Sequence, residues 1–266
     1  MNNAHHNEHV TTALLLAAGT GSRLLPLTKS APKCMTMVNG KSILKRQVSI
    51  LNQKGFKRLV IVTGHLEDRI RTFLGHRAGG IDIDYVFSPR FKTTNNIYSL
   101  WMARDIIQEP FLLLESDLIF EKSLLDSMLY PNKIAVAKMK PWMNGTSVTI
   151  NRARQVKAFL AGDTDVSREI RYKTVNIYSL SLPSWRKIAT RLDEYIAAGK
   201  SNAYYETVFG AMIADGSLAL EAVSFDGKPW YEIDTQQDLK NAMTLFAFDR
   251  YPAQKNEPHS NPVYAG

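Results

Sequence analysis

The chain has 266 residues, 45% hydrophobic and 22% charged, which is typical of a protein with a buried core. Its net charge of +8 favours anionic ligands, but the basic residues form no arginine-rich block, so nucleic acid is not the expected partner. No apolar run is long enough to span a bilayer, so no membrane partner is expected. The sequence shows no signal-peptide pattern and has a single cysteine, and these two features predict a cytoplasmic protein. Residues 1–10 are polar and are predicted to form a disordered leader.

The first predicted strand, Thr12–Ala18, runs into a glycine-rich turn. Small residues let the backbone approach a bound group, and consecutive N–H groups in such a turn form an anion site, to which Arg23 and Lys33 add charge. The pattern is also compatible with a plain turn, and it is neither the dinucleotide fingerprint nor a Walker A motif. We favour a polyphosphate site. The residues predicted to bind nucleotide here are Leu16, Ala17, Ala18, Gly19, Thr20, Gly21, Ser22, Arg23 and Lys33.

Helices and strands alternate after this turn. The patterns predict a helix over Lys41–Lys54, a strand over Leu59–Thr63, a helix over Leu66–Leu74 and a strand over Ile81–Phe87. This alternation is typical of right-handed βαβ units. The predicted fold class is therefore α/β, with a single Rossmann-like, mixed and mainly parallel sheet flanked by helices.

A polar stretch follows the third of these strands and precedes a helical pattern that begins near Ile97. One asparagine there is expected to cap the helix. A cap does not need four polar residues in a row, and side chains at the carboxyl ends of parallel strands are placed to read the edge of a base. The residues assigned to nucleotide binding in this region are Ser88, Thr94, Asn95, Asn96 and Ser99.

The predicted central strand, Phe111–Leu114, leads directly into Glu115, Ser116 and Asp117. A carboxylate at the end of a buried strand usually points into a cleft, where it suits Mg²⁺ together with substrate phosphates. The alternative is that Ser116 or Asp117 caps a following helix. With the glycine-rich turn nearby, we favour Asp117 as a metal ligand, and we assign Glu115 and Ser116 to nucleotide binding.

The second half of the chain predicts a small antiparallel section that acts as a substrate or lid region. Its strands are expected at Lys133–Lys138, Thr146–Ile150, Val156–Leu160 and Tyr172–Leu180. Aromatic rings and a carboxylate would suit an ammonium group, although most of these rings are expected to pack in the core. The residues assigned to acceptor binding are Trp142, Tyr178, Tyr205, Glu206 and Glu232.

Helices are predicted over Pro183–Ala198, Tyr205–Ile213 and Gln236–Phe248, and a strand over Leu218–Val223. Before the last helix, Glu232 and Asp234 alternate with apolar residues and so share one face of a strand. Asp234 or Thr235 is also expected to cap that helix. Residues 249–266 contain three prolines and read as a tail or linker.

These motifs together resemble the sugar-nucleotidyltransferase superfamily, and within it the phosphocholine and 2-aminoethylphosphonate cytidylyltransferases. The resemblance rests on the GTGSR turn, Pro32-Lys33, the Asn-Asn-Ile-Tyr-Ser-Leu segment from Asn95, and Tyr-Glu-Ile-Asp at Tyr231–Asp234. It covers nearly the whole chain up to the last helix. It implies a nucleotidyltransferase domain over residues 11–248, with a nucleotide-binding half of about 11–130 and an acceptor-binding half of about 131–235.

The resemblance implies an enzyme that transfers CMP from CTP to a small anionic acceptor and releases pyrophosphate. Asp117 and Asp234 would hold Mg²⁺, Lys33 would contact the α-phosphate and Arg23 the leaving pyrophosphate. The stretch from Lys173 to Tyr178 favours 2-aminoethylphosphonate as acceptor. Phosphocholine, or a sugar or inositol 1-phosphate, is the alternative. The presence of Lys33, Asp117 and Asp234 disfavours an inactive regulatory module. Homodimerisation and fusion to an aminotransferase through the tail are further features that such relatives suggest.

Overall fold

A computed structural model of the protein describes residues 9–140, 143–162 and 170–247. Within these ranges the chain forms strands β1–β14 and helices α1–α6. The strands are β1 Thr12–Ala17, β2 Met37–Val38, β3 Lys41–Ser42, β4 Arg58–Thr63, β5 Arg77–Ala78, β6 Ile81–Phe87, β7 Phe111–Glu115, β8 Leu118–Phe120, β9 Lys133–Lys138, β10 Ser147–Ile150, β11 Val156–Leu160, β12 Tyr172–Leu180, β13 Glu221–Ser224 and β14 Trp230–Glu232. The helices are α1 Ile43–Gln53, α2 Glu67–Leu74, α3 Asn96–Met102, α4 Leu182–Ala197, α5 Tyr205–Ala214 and α6 Gln236–Leu245.

A single large sheet organises the fold. Its main path runs in the order β11-β10-β12-β7-β1-β4-β6-β5, and β9 and β13 extend it beside β12. Strands β7, β1, β4 and β6 are mutually parallel, as the alternating helices and strands predicted. Strand β12 is antiparallel to β7, so the antiparallel section joins the same sheet. The predicted mixed, mainly parallel α/β fold is confirmed.

Strand β1 is buried on both faces, which explains its continuous apolar sequence. Because side chains alternate along a strand, Leu15 and Ala17 pack into the core on the side of α1, whereas Leu14 and Leu16 pack on the side of α3, α4 and α5. The sheet therefore separates two hydrophobic layers. Its parallel strands end at a common edge, and the polar residues that follow them meet there.

Strand β12 contains an irregularity next to this edge. Its pairing with β9 shifts register between Thr174 and Tyr178, and Asn176 within the shift has a φ of 58°. Asparagine tolerates this left-handed conformation better than most residues do. The first part of β12 pairs with β10 and the last part with β7, so the bulge lies where the antiparallel section meets the parallel strands.

A second, two-stranded sheet brings the end of the chain back to the first half. Strand β14 pairs with β8, and the N–H of Ile233 donates to the carbonyl of Asp117 at 3.0 Å. The alternative that Ser116 or Asp117 caps a helix is wrong, because β8 follows them. Thr235 caps α6 in a capping box with Asp238, as one of the two predicted caps. Within the described residues no helix is long and apolar enough to cross a membrane.

Candidate active site

A cleft of about 720 Å³ opens at the carboxyl ends of β1 and β7. It collects side chains from the glycine-rich turn, the start of α3, the segment after β7, the antiparallel section and the end of β14. Nearly all of the residues predicted to bind nucleotide line it. They are Leu16, Ala17, Ala18, Gly19, Thr20, Gly21, Ser22, Arg23, Lys33, Thr94, Asn95, Asn96, Ser99, Glu115 and Ser116, and the predicted metal ligands Asp117 and Asp234 lie beside them.

The glycine-rich turn is held in a defined shape by its neighbours. Gly21 has a φ of +63°, and a Cβ there would lie 3.0 Å from both the Lys33 Cβ and the Thr28 Cγ2. The hydroxyl of Thr28 donates to the carbonyl of Gly21 at 2.9 Å. The ring Nε2 of His65 lies 3.1 Å from the Thr28 carbonyl, and the His65 N–H donates to Ala18 O. Glycine is thus favoured at position 21 both by its φ and by the close approach of Lys33.

Lys33 lies between two aspartates that are far apart in the sequence. Its Nζ is 2.7 Å from Asp117 Oδ2 and 2.6 Å from Asp234 Oδ1. Burial disfavours the ammonium, but the two carboxylates outweigh burial and hold the pKa of Lys33 above its ordinary value. Arg23 Nη2 also contacts Asp234 Oδ1, at 2.7 Å, while most of its side chain remains exposed. The charged groups of Lys33 and Arg23 could therefore exchange a carboxylate partner for a phosphate that binds in the cleft.

The carboxylate of Asp117 is only partly satisfied by its neighbours. Its Oδ1 is buried and has no hydrogen-bond partner, although its Oδ2 contacts Lys33. A buried oxygen of this kind is costly unless a ligand satisfies it, so the position fits a hard cation. Among the residues that the structure describes, no group of three His, Cys, Asp or Glu side chains is arranged to hold a metal ion. A cation at this place would thus depend on two carboxylates and on substrate oxygens.

The two asparagines predicted to read a base differ in their contacts. Asn95 caps α3, and its side chain accepts from the N–H of Asn96 at 2.9 Å. The amide of Asn96 donates to Glu115 Oε1 at 3.2 Å and accepts from the Tyr205 N–H at 3.0 Å. Asn96 thereby ties β7 to the start of α5. Ser88 does not line the cleft, because it is fully buried beside the end of β4, where its N–H donates to Thr63 O.

The floor of the cleft is rich in carboxylates. Glu206 is only 6% exposed, and burial followed by the charge of Glu232 raises its pKa to about 7, although Lys173 opposes this shift. Burial and the charges of Asp117 and Glu206 likewise raise the pKa of Glu115 well above its ordinary value. Glu232 accepts from Asn176 Nδ2 at 3.3 Å and contacts Lys173 Nζ at 3.3 Å.

The predicted acceptor residues separate into two groups. Glu206 and Glu232 line the cleft, whereas Tyr178 and Tyr205 are fully buried and do not. The Tyr178 ring packs edge-to-face on Tyr205 and Phe209, and the Tyr205 ring lies tilted against Phe209, so both tyrosines support the floor from below. Trp142 lies outside the described residues. The neighbouring tyrosine, Tyr204, is 57% exposed and does line the cleft.

Several residues that line the cleft were not predicted. Lys173 and Asn176 lie inside the buried strand β12. A lysine and an asparagine in a largely buried strand are unusual, and this could have indicated that they line a cleft. The others belong to loops or to strand ends, where no pattern marks the side that faces a cleft. They are Cys34, Phe91, Lys92, Asn144, Gly145, Thr146, Ala161, Gly162 and Tyr204.

Comparison with known proteins identifies relatives that match most of the chain. A CMP-5'-(3-aminopropyl)phosphonate synthase of Streptomyces rubellomurinus is 31% identical over 244 residues, which are 88% of this chain. The match spans only 38% of that relative's length. A 2-aminoethylphosphonate cytidylyltransferase of Lancefieldella rimae is 24% identical and is matched over 91% of this chain and 94% of its own.

Among solved structures, the CTP:phosphocholine cytidylyltransferase of Streptococcus pneumoniae has the same fold. Its TM-score is 0.77 at 21% identity, and the match covers 90% of this chain and 99% of that one. Residues 12–149, which include the glycine-rich turn, Lys33 and Asp117, match the family model described as nucleotidyl transferase. The chain is therefore a member of the nucleotidyl transferase family.

Proposed function

We propose that the protein is a Mg²⁺-dependent cytidylyltransferase that transfers CMP from CTP to a small aminated phosphonate or phosphate and releases pyrophosphate. The observation that carries the proposal is the position of Lys33 between Asp117 and Asp234 at the end of the glycine-rich turn. A glycine-rich turn suited to phosphates, a lysine ammonium and two carboxylates are the parts that a phosphoryl-transfer site requires.

Asp117 and Asp234 would hold Mg²⁺, and the partnerless Asp117 Oδ1 supports this assignment. Bound there, the ion would supply Lewis-acid stabilisation of charge on the α-phosphate. Its two charges would also replace the positive charge that Lys33 now contributes to both aspartates. The Lys33 ammonium would then be free to contact the α-phosphate and the attacking oxygen, where negative charge develops.

The protein's part in the reaction is to position the reactants and to neutralise charge. An oxygen of the acceptor's phosphonate or phosphate group forms a bond to the α-phosphorus of CTP. The bond from that phosphorus to the bridging oxygen breaks, and pyrophosphate leaves with the electron pair. N–H groups of the turn from Ala18 to Ser22 would hold the leaving phosphates, and Arg23 would balance their charge. The acceptor is already ionised at neutral pH, so no general base is needed.

Two considerations favour an aminated phosphonate as acceptor. The relatives from Streptomyces rubellomurinus and Lancefieldella rimae are named for aminopropyl- and aminoethylphosphonate. The floor of the cleft carries the carboxyl groups of Glu115, Glu206 and Glu232, which are hydrogen-bond acceptors suited to an ammonium group. We therefore place 2-aminoethylphosphonate first. Phosphocholine is the second candidate, because the exposed ring of Tyr204 lines the same cleft.

The experiment that tests this function measures pyrophosphate release from each of the four nucleoside triphosphates with Mg²⁺. The acceptors are 2-aminoethylphosphonate, phosphocholine and a hexose 1-phosphate. We expect release with CTP and an aminated acceptor. Release only with the hexose phosphate would contradict the amine assignment, and no release by folded protein with any pair would contradict the enzyme assignment.

A further inference from the structure

The carboxylate of Glu206 is buried in the cleft without a complete set of partners. The residue is 6% exposed, it lines the cleft, and its Oε2 has no hydrogen-bond partner. A buried acceptor atom without a donor lowers stability, and a carboxylate more so than a neutral group. Such an atom in a binding cleft is best explained by a donor that arrives with the ligand.

Two lysines that line the same cleft as Glu206 are already paired with other carboxylates. Lys173 Nζ lies 3.3 Å from Glu232 Oε2, and Lys33 contacts Asp117 and Asp234. The ammonium of Lys173 is therefore already paired with Glu232. A positively charged ligand group would supply Glu206 with a partner of its own.

Glu206 is also fixed in place by the fold. It lies in the first turn of α5, whose first N–H, that of Tyr205, donates to Asn96 Oδ1 at 3.0 Å. The other end of the Asn96 amide contacts Glu115. Tyr205 and Phe209 pack beneath this turn, so the carboxylate is held on a rigid element.

We propose that Glu206 accepts hydrogen bonds from a primary ammonium group of the acceptor and thereby selects primary amines over trimethylammonium compounds. This inference rests on the proposed cytidylyl transfer and names the acceptor class of the same cleft. A primary ammonium has three N–H donors and can satisfy Oε2, whereas a quaternary ammonium has none. Quaternary groups are instead recognised by several aromatic faces.

The aromatic residues of the described cleft do not form such a cage. Among the lining residues that the structure describes, only Phe91 and Tyr204 carry aromatic rings. Tyr178 and Tyr205, two of the rings predicted to contact the acceptor, are fully buried. The chemistry of the floor is therefore that of hydrogen-bond acceptors.

The test compares three acceptors that differ only at the amine end: 2-aminoethylphosphonate, its N,N,N-trimethyl analogue and ethylphosphonate. The kcat/KM of each is measured with CTP and Mg²⁺ for the wild type, for Glu206→Gln and for Glu194→Gln. Glu194 is an exposed residue of α4, remote from the cleft lining, and serves as the matched control. Thermal melting establishes that each variant is folded.

We expect the wild type and Glu194→Gln to prefer the primary amine over both analogues. In Glu206→Gln the preference should fall on the order of 10- to 100-fold, as expected when a charged hydrogen bond is lost. Equal use of the trimethyl analogue by the wild type, or an unchanged preference in Glu206→Gln, would overturn the inference. If no acceptor releases pyrophosphate, the proposed transfer fails. Calorimetric titration with 2-aminoethylphosphonate then decides the role of Glu206 separately, since equal affinity of wild type and Glu206→Gln would refute it.

Discussion

Lys33 Nζ lies 2.6 Å from Asp234 Oδ1, although 201 positions separate the two residues. The contact is possible because β14 pairs with β8 and the Ile233 N–H donates to Asp117 O, which places the two aspartates beside each other. Lys33 thereby neutralises a pair of carboxylates that would otherwise repel. A cation bound by both aspartates would take over this role and release the ammonium toward an anionic ligand.

Replacing Lys33 by alanine should lower kcat by roughly 10²–10³, because one preorganised charge at the reacting phosphate is lost. CTP should still bind through the glycine-rich turn. The variant removes the ammonium that contacts both Asp117 and Asp234 and leaves Asp234 with Arg23, so Mg²⁺ should raise its melting temperature more than that of the wild type. The measurements are steady-state pyrophosphate release and thermal melting with and without Mg²⁺. Lys29→Ala, an exposed lysine of the same segment, is the control, and near-normal turnover of Lys33→Ala would refute the role.

Asp117→Asn and Asp234→Asn should each remove most of the Mg²⁺-dependent rate. An amide keeps the size of the side chain but loses the charge that holds a divalent ion. The rate is measured as a function of Mg²⁺ concentration. Asp68→Asn alters an exposed residue of α2 and should leave this dependence unchanged. A variant at 117 or 234 with the wild-type dependence on Mg²⁺ would remove that residue from the metal site.

Gly21→Ala should reduce kcat as well as stability. The added Cβ would lie 3.0 Å from Lys33 Cβ and would also require a left-handed alanine. Gly216→Ala is the matched control, because Gly216 has a φ of +76° but a Cβ there meets nothing within 4 Å. Both variants should lose about 1 kcal/mol of unfolding free energy, and only Gly21→Ala should lose activity. Equal activities would show that the approach of Lys33 to Gly21 is unimportant.

Glu206 should make the protein less stable as the pH rises. Its pKa is about 7 in the folded chain and near 4.5 when exposed, so between these values the folded state binds more protons than the unfolded state. The unfolding free energy of the wild type should therefore fall as the pH rises through about 7. Glu206→Gln removes this effect, so it should gain roughly 3 kcal/mol relative to the wild type between pH 4 and 8. Urea denaturation at several pH values measures this gap, and a constant gap would contradict the assignment.

The parallel part of the fold could be predicted because its strands are buried on both faces and read as continuous apolar runs. The position of Asp117 at a cleft could also be predicted, since a carboxylate after a buried strand must find a partner. The start of β8 directly after Asp117 could not be predicted from the sequence. Strand β8 has only three residues, so its sequence shows no periodicity that would mark a strand. It is stabilised by pairing with β14, which is more than a hundred positions away.

The acceptor side of the cleft was harder to predict for a similar reason. Tyrosine is common in ligand-binding surfaces, which is why Tyr178 and Tyr205 were predicted to contact the acceptor. Both are buried instead, because their rings pack around Phe209. Asn176 faces Glu232 only because β12 shifts register at that point. Asn96 joins α3 to β7 and α5 through its side chain, but no local sequence pattern around it predicts these two contacts. Such contacts depend on tertiary structure.

The most direct test of the proposed activity is a phosphorus-31 NMR spectrum of the protein incubated with CTP, Mg²⁺ and 2-aminoethylphosphonate. We expect loss of the CTP resonances and the appearance of pyrophosphate together with a coupled pair of signals, one from the phosphonate and one from the CMP phosphorus joined to it. Persistence of CTP and free phosphonate in the presence of folded wild-type protein would contradict the proposed activity.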